Sequence, residues 1–149
     1  MTVIIDRPQT QPTDFELQNL TGVRCRLAIV GSVDFVDPEA WGIAERIIRE
    51  EIEKQNPQVC ISGGARGIDT WFKDIAVWYG YSPLIGNFIE YLPKNARWAP
   101  RGYKDRNRLI AEDCTRLVAI RCHASKTYGS GWTADYAEKI GKEVRREIL

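Results

Sequence analysis

A short glycine-rich loop carries the clearest chemical signal in the sequence. It reads Ser62-Gly63-Gly64-Ala65-Arg66-Gly67. Glycines let the main chain approach a ligand without a Cβ clash, and successive amide N–H groups can then converge on an anion. The positive end of a following helix would strengthen such a site. The loop is neither a Walker A motif nor a G-x-G-x-x-G fingerprint, so a phosphate site and a plain strand-to-helix turn both fit it.

Two further segments could complete a site of this kind. Gly31-Ser32 follows an apolar run, and the Ser32 hydroxyl could meet the same ligand. Gly129-Ser130-Gly131-Trp132-Thr133 is a second glycine-bearing turn at a predicted helix start. There Ser130 or Thr133 could cap the helix and also contact a phosphate. Trp132 either stacks on a base or packs in the interior, and packing is the commoner role of tryptophan.

Polar and charged side chains near these loops supply the other candidates. In Arg106-Asn107-Arg108, one arginine can bind a phosphate through two parallel hydrogen bonds, and Asn107 can bridge loops through its amide. The alternative is a solvated helix start whose arginines pair with a carboxylate. Asp34 is a candidate acceptor for a ribose hydroxyl, or else it caps a turn. Asp69 and Glu112 are the acids nearest the loops in sequence. Each is a candidate general base, although a surface ion pair is the commoner role for such a residue.

Residues 94–108 concentrate positive charge. They contain six basic side chains and one acid, Asp105, whereas the formal net charge of the chain is only +1. Tyr91, Trp98 and Tyr103 interleave with the basic side chains, which is a composition suited to stacking bases. We therefore expect the stretch to attract an anion, either a small phosphate ligand or single-stranded DNA.

Composition narrows the class of protein. The chain has 149 residues, of which 44% are hydrophobic and five are tryptophan, as expected for one globular domain. Four scattered cysteines form no C-x-x-C pair, and His123 is the single histidine. This pattern offers no spacing for a metal site or for histidine-centred catalysis. We therefore expect no metal and no required cofactor.

Localisation is predicted from what the sequence lacks. No apolar run is long enough to cross a bilayer. The first residues have neither the basic start nor the long apolar stretch of a secretory signal. These observations predict a cytoplasmic protein with no membrane partner, and they leave open whether the chain forms a homo-oligomer.

Alternating strands and helices must position these loops. Apolar runs predict strands at 27–30, 59–61, from 83, at 117–120 and at 143–148. Helical spacing predicts helices from Asp37-Pro38, from about Ile68 to Gly80, at 106–113 and at 133–140. This alternation predicts a three-layer, doubly wound α/β domain, Rossmann-like, with a mainly parallel sheet over residues 23–149. Residues 1–22 are predicted to form an N-terminal arm or an extra edge strand. Ligands of such sheets bind at the carboxyl ends of the strands.

Together these segments resemble the SLOG superfamily of Rossmann-like nucleotide-binding proteins. The resemblance covers about residues 25–148, and the small single-domain YspA-like branch is the most similar. That branch typically opens with a Gly-Ser-Arg-Asp-Phe-type segment, which here reads Gly31-Ser32-Val33-Asp34-Phe35. Val33 therefore stands where the branch has arginine, and one expected polar contact is missing.

Two other branches bear on function. The Rossmann core of DprA, which binds single-stranded DNA, is similar through Ala65-Arg66-Gly67-Ile68-Asp69 and residues 106–111. The LOG phosphoribohydrolases carry a glutamate three residues after a loop threonine, where this chain has Tyr136. Glu138 is two positions further on, about 200° around a helix. The resemblance therefore disfavours hydrolysis and favours binding over catalysis.

The resemblance and the loops together predict that the domain binds a nucleotide or a nucleotide-derived phosphate ligand, as a sensor or carrier. A DprA-like DNA-binding protein and a LOG-like hydrolase are the alternatives. The candidate ligand-binding residues are Gly31, Ser32, Ser62, Gly63, Gly64, Ala65, Arg66, Gly67, Arg106, Asn107, Gly129, Ser130, Gly131 and Thr133.

Overall fold

The computed structural model describes residues 24–33, 37–126 and 128–149. Asp34 and the predicted arm over residues 1–22 lie outside them. Within the described residues, five strands alternate with four helices. Their bounds are β1 (Arg26–Gly31), α1 (Pro38–Gln55), β2 (Val59–Ser62), α2 (Ile68–Trp78), β3 (Phe88–Glu90), α3 (Tyr103–Asp113), β4 (Arg116–Arg121), α4 (Gly129–Lys139) and β5 (Glu143–Ile148).

The five strands form one parallel sheet in the order β3-β2-β1-β4-β5. The chain winds outward from β1 to β3, crosses back to β4 and then ends on β5. The predicted doubly wound α/β architecture is therefore confirmed. Its switch point lies between β1 and β4, where such sheets place their ligands.

Strands β1, β2 and β4 are buried on both faces between two layers of helices, which makes the domain three-layered, whereas the edge strand β5 is partly exposed. In β1, Leu27 and Ile29 pack into the core beneath α1 and α2. Ala28 and Val30 point the other way, into the core beneath α3 and α4. Because both faces are covered, the strands read as continuous apolar runs instead of alternating ones.

The first helix begins where the sequence predicts. The Asp37 side chain accepts a hydrogen bond from the Glu39 N–H at 2.9 Å, and Pro38 occupies the first turn. The helix ends at Asn56, whose φ of 43° is left-handed. No helix in the described part of the chain is long and apolar enough to cross a membrane.

The third strand does not begin at Pro83, so that prediction is wrong. Leu84 is 98% exposed in a turn, and the strand β3 lies further along the chain. The N–H groups of Ile85 and Gly86 both donate to the Ser82 carbonyl, and Gly86 has a φ of 92°. The run Pro83-Leu84-Ile85 resembles a strand in composition, but proline and a positive-φ glycine suit a turn.

Helical spacing predicts that Trp71 and Trp78 are both buried on α2, and for Trp78 this prediction is wrong. Its side chain is 75% exposed at the end of α2, where the Arg49 guanidinium lies 5.5 Å from the ring centroid. Trp71, one of the other predicted buried aromatics, is half-buried and stacks on Trp41 at 3.9 Å between ring centroids. The apolar face of α2 is therefore narrower than the sequence suggests.

A buried carboxylate joins α1 to β4 and β5. Glu51 accepts hydrogen bonds from Arg116 at 2.8 and 3.0 Å and from Arg145 at 2.9 Å. Burial opposes ionisation of Glu51, but the hydrogen bonds from the two arginines outweigh it and lower the pKa of the carboxyl. The group therefore stays charged and ties three elements together.

We predict that Glu51→Gln destabilises the fold, because both guanidinium groups lose their shared anion. Breaking a buried pair costs about 3–5 kcal/mol, and since these arginines are partly exposed we expect about 2 kcal/mol in urea unfolding at pH 7. The native pKa lies below the unfolded one, so this contribution exists above the unfolded pKa and disappears as the pH falls through the native pKa.

Glu45→Gln is the matched control, since it breaks the exposed Glu45–Arg49 pair of the same helix. Its expected cost is below about 0.5 kcal/mol. Equal losses in the two variants, or a difference that persists in acid, would contradict a stabilising role for Glu51.

Candidate functional site

An open cavity of about 600 Å³ lies at the carboxyl edge of the sheet. Its volume falls within the usual range for small-molecule sites. Loops that follow β1, β2, β3 and β4 surround it, and we call it the edge cavity. The predicted site residues that line it are Gly31, Ser32, Gly63, Gly64, Ala65, Arg66, Arg106, Asn107, Gly129, Ser130 and Thr133.

Three predicted site residues, Ser62, Gly67 and Gly131, lie behind this lining. Gly67 has a φ of 79°, and a Cβ there would lie 2.5 Å from the Ser32 carbonyl oxygen. A Cβ on Gly131 would overlap the ring of Tyr128. These two glycines therefore allow the loops around the edge cavity to pack closely together.

Two amides of the glycine-rich loop bond to side chains of the chain itself. The Gly64 N–H donates to Ser62 Oγ at 3.2 Å, and the Ala65 N–H donates to Asp69 Oδ2 at 3.0 Å. This differs from the predicted convergence of free amides on a ligand anion. Asp69 lies in the first turn of α2, where the positive end of the helix favours a carboxylate. A side chain of the protein therefore occupies the position expected for the ligand's charge.

Asp69 is the carboxylate that lines the edge cavity among the described residues. It is 5% exposed, so the expected surface ion pair is wrong. Burial raises its pKa to about 6, against the lowering effects of the Ala65 N–H and the Arg106 charge, and Glu90 raises it further. Its Oδ1 atom is buried and has no hydrogen-bond partner within the described part of the chain.

Arg106 and Asn107 together join three loops around the edge cavity. Arg106 is 8% exposed, and burial lowers its pKa. Its Nε donates to Asn107 Oδ1 at 2.7 Å, and its Nη1 donates to the carbonyls of Gly63 and Tyr91. Asn107 Nδ2 donates to the Gly129 carbonyl at 3.5 Å, which confirms the predicted bridge. In the described residues no hydrogen bond engages Arg106 Nη2, so that nitrogen can still donate to a ligand.

The N-terminus of α4 faces the edge cavity without a side-chain cap. Its N-cap residue is Tyr128, and no side chain of the described residues caps the helix there. The predicted capping by Ser130 or Thr133 is therefore wrong. The Thr133 hydroxyl donates instead to the Gly129 carbonyl at 2.8 Å. The first amides of a helix have no intrahelical acceptor, so this terminus can accept an anion.

Ser32 and Arg66 line the cavity at different depths. The Ser32 Oγ is buried and accepts the Cys122 N–H at 3.0 Å, which joins the ends of β1 and β4. This bond leaves the hydroxyl hydrogen for another acceptor. Arg66 is exposed and lines the cavity from its open side. Both side chains therefore keep a donor for a ligand.

Aromatic packing directs one ring toward the cavity. Trp98 lines it and is 42% exposed. Trp132 packs edge-on against Trp98 at 5.5 Å and stacks on Tyr136 at 5.4 Å between ring centroids. Trp132 thus has the packing role, and of the two aromatic rings that line the cavity, Trp98 and Tyr103, Trp98 is the more exposed. In the sequence, Trp98 stands out only as an aromatic residue of the basic stretch. Its proximity to the glycine-rich loop depends on the fold and leaves no local pattern.

The acids near α4 bond away from the cavity. Tyr136, which stands where LOG enzymes have glutamate, donates its hydroxyl to Glu112 at 2.9 Å. Glu138 is exposed and bonds to Arg146 of β5. Neither acid lines the edge cavity.

The chain was compared with known protein families, curated proteins and solved structures. No family model and no curated protein matches the chain. The solved structure of TM1055 superimposes with a TM-score of 0.60 at 16% identity, over 80% of this chain and 72% of that one. The chain therefore shares a Rossmann-like α/β fold with this structure.

Two further solved structures share this Rossmann-like fold. One is DNA processing protein A from Helicobacter pylori, with a TM-score of 0.57 at 20% identity, over 86% of this chain and 67% of that one. The other is the molybdenum cofactor carrier protein from Chlamydomonas reinhardtii, with a TM-score of 0.60 at 14% identity, over 85% and 78%. At these identities the likeness concerns the fold alone.

We predict that Gly63→Ala destabilises the site. The added Cβ would lie 2.7 Å from Arg106 Nη1 and 2.9 Å from Asp69 Oδ2. Arg106 is held by its own hydrogen bonds, so neither group moves freely, and we expect a loss of about 1–3 kcal/mol in urea unfolding.

Gly42→Ala is the control, because nothing lies within 4 Å of a Cβ at that position in α1. There the substitution should stabilise by about 0.5–1 kcal/mol through helix propensity. If Gly63→Ala is as stable as the parent, the two charged groups are not held as described.

Proposed function

We propose that the domain binds a nucleotide or a nucleotide-derived phosphate ligand in the edge cavity, as a sensor or carrier. One observation carries the proposal: the uncapped N-terminus of α4 opens into the same cavity as a half-exposed tryptophan and a buried arginine. Helix N-termini favour phosphate, and aromatic faces favour bases.

The phosphate is assigned to the N-terminus of α4. Gly129 and Ser130 line the cavity there, and the helix dipole favours negative charge. Arg106 Nη2 and the exposed Arg66 supply positive charge from other sides of the cavity. The glycine-rich loop is less suited to the phosphate, because Asp69 already accepts one of its amides.

The base is assigned to the aromatic side of the cavity. Trp98 offers its ring there, held by Trp132, and Leu92 and Pro93 add apolar lining. A small number of polar groups in an otherwise apolar cavity is typical of sites that fix one ligand orientation. The two assignments together match a ligand with a phosphate at one end and a flat ring at the other.

Thermal unfolding with a ligand panel tests the proposal. We expect stabilisation by at least one of the nucleoside monophosphates, NAD and ADP-ribose, and about 2.7 kcal/mol at a hundred times its dissociation constant. No shift with any nucleotide would contradict nucleotide binding.

Ser130→Asp and Ser130→Asn separate binding from stability. An aspartate in the first turn of α4 suits the helix dipole and should leave the fold as stable as before. Its charge would repel the phosphate, so we expect at least tenfold weaker nucleotide binding than in the neutral, similarly sized asparagine variant, measured by calorimetry. Equal affinities in the two variants would place the phosphate elsewhere.

Single-stranded DNA is the second candidate ligand, and a second, smaller cavity with basic lining residues favours it. We call this cavity the basic hollow. It has a volume of about 200 Å³, adjoins the edge cavity, shares Arg106 with it and includes Lys94, Arg101 and Arg108. DNA processing protein A from Helicobacter pylori binds single-stranded DNA on the same fold. An oligonucleotide that uses the basic hollow should lose affinity steeply with salt, whereas a mononucleotide should not. A flat salt dependence for the oligonucleotide would contradict this candidate.

A further inference from the structure

One oxygen of the buried Asp69 carboxylate lacks a hydrogen-bond partner among the described residues. Its Oδ2 accepts the Ala65 N–H, while Oδ1 is buried without a hydrogen bond to any described residue. The residue lines the edge cavity. Buried polar atoms are nearly always paired in folded proteins, so an unpaired acceptor at a cavity wall indicates a donor that arrives with the ligand.

Charged groups on neighbouring elements surround Asp69 without pairing with it. Arg106 of α3 acts on it by charge, but its Nη1 is committed to backbone carbonyls. Glu90 of β3 repels it, although Lys73 of α2 forms an ion pair with Glu90 at 3.0 Å. No described ion pair engages Asp69 itself. The described groups therefore leave part of the acceptor capacity of Asp69 unused, on a residue that lines the edge cavity.

The sign of the charge limits what can lie against Oδ1. A phosphate oxygen would place two anions side by side in a poorly solvated position, which is unfavourable. A neutral O–H donor would instead form a charge-assisted hydrogen bond, one of the stronger kinds. The ligand group next to Asp69 should therefore be a hydroxyl and not the phosphate.

We infer that Asp69 is a specificity-determining residue that binds a sugar hydroxyl of the nucleotide, and this inference rests on the proposed function. In a nucleotide whose phosphate lies at α4 and whose base meets Trp98, the sugar is the part that carries free hydroxyls. The glycine-rich loop then holds the sugar side of the ligand through Asp69, and the phosphate binds on the opposite loop.

The test compares the four ribonucleoside 5′-monophosphates with their 2′-deoxy and 3′-deoxy forms, by calorimetry at pH 7.5. In the parent protein, removal of at least one hydroxyl should weaken binding about tenfold or more. In Asp69→Asn, which can still accept the Ala65 N–H, that ratio should fall to about threefold or less. A thermal melt of the variant shows whether it is folded.

The pH dependence of the same ratio tests the inference in the unaltered protein. Asp69 has a pKa of about 6, so it is ionised at pH 7.5 and largely protonated at pH 5. The preference for the ribonucleotide should therefore shrink several-fold between those values. Because the ligand's own phosphate titrates near pH 6, only the ratio of the two affinities is informative.

The outcomes of these experiments distinguish a failure of nucleotide binding from a failure of the role inferred for Asp69. If no nucleoside monophosphate binds, the proposed function has failed for this class, and the inference fails with it. If they bind but both deoxy forms bind equally well, or if the ratio is unchanged in Asp69→Asn, only the inference is wrong. Tighter nucleotide binding in Asp69→Asn would also overturn it, because that result places the phosphate next to Asp69.

Discussion

Every feature of the edge cavity depends on the strands being parallel. A parallel strand must be followed by a crossover, so the helices after β1, β2, β3 and β4 all begin at the same edge of the sheet. Asp37 caps α1 with its side chain, whereas the described residues provide no side-chain cap for α2, α3 or α4. Asp69 and Asp105 lie in the first turns of α2 and α3, whereas the first turn of α4 contains no acid, so α4 offers the unopposed positive helix end at the carboxyl edge. The topology concentrates electrostatic potential there before any individual side chain is considered.

The buried charged groups at the two ends of the sheet differ in how completely they are paired. The Glu51 carboxylate accepts hydrogen bonds from two arginines, so it joins elements of the fold and is not available to a ligand. Arg106 and Asp69, on the cavity side, each keep part of their hydrogen-bonding capacity unused. Incomplete pairing of buried polar groups is costly for a fold, and it is found where a ligand completes the set. The contrast supports the proposal that the carboxyl edge is the ligand-binding end of the domain.

The sequence predicted the order of the elements well, because buried parallel strands and a capped helix such as α1 leave local patterns. The third strand was misplaced, because Pro83-Leu84-Ile85 is apolar but forms a turn. The site residues were found as separate loops, and parallel topology brings most of them to one cavity. The role proposed for Asp69 could not be predicted, since its pKa depends on its burial in the fold and on the charges of Arg106 and Glu90, which lie far away in sequence. Sequence periodicity carries no information about such contacts.

A crystal structure of the domain with its tightest-binding nucleoside monophosphate would test nucleotide binding at the carboxyl edge most directly. The expected complex has the phosphate against the first turn of α4, the base on Trp98 and a sugar hydroxyl on Asp69. A phosphate bound by the glycine-rich loop, with Asp69 displaced, would contradict the assignment of the two loops. A nucleotide bound away from the edge cavity would contradict the proposed site altogether.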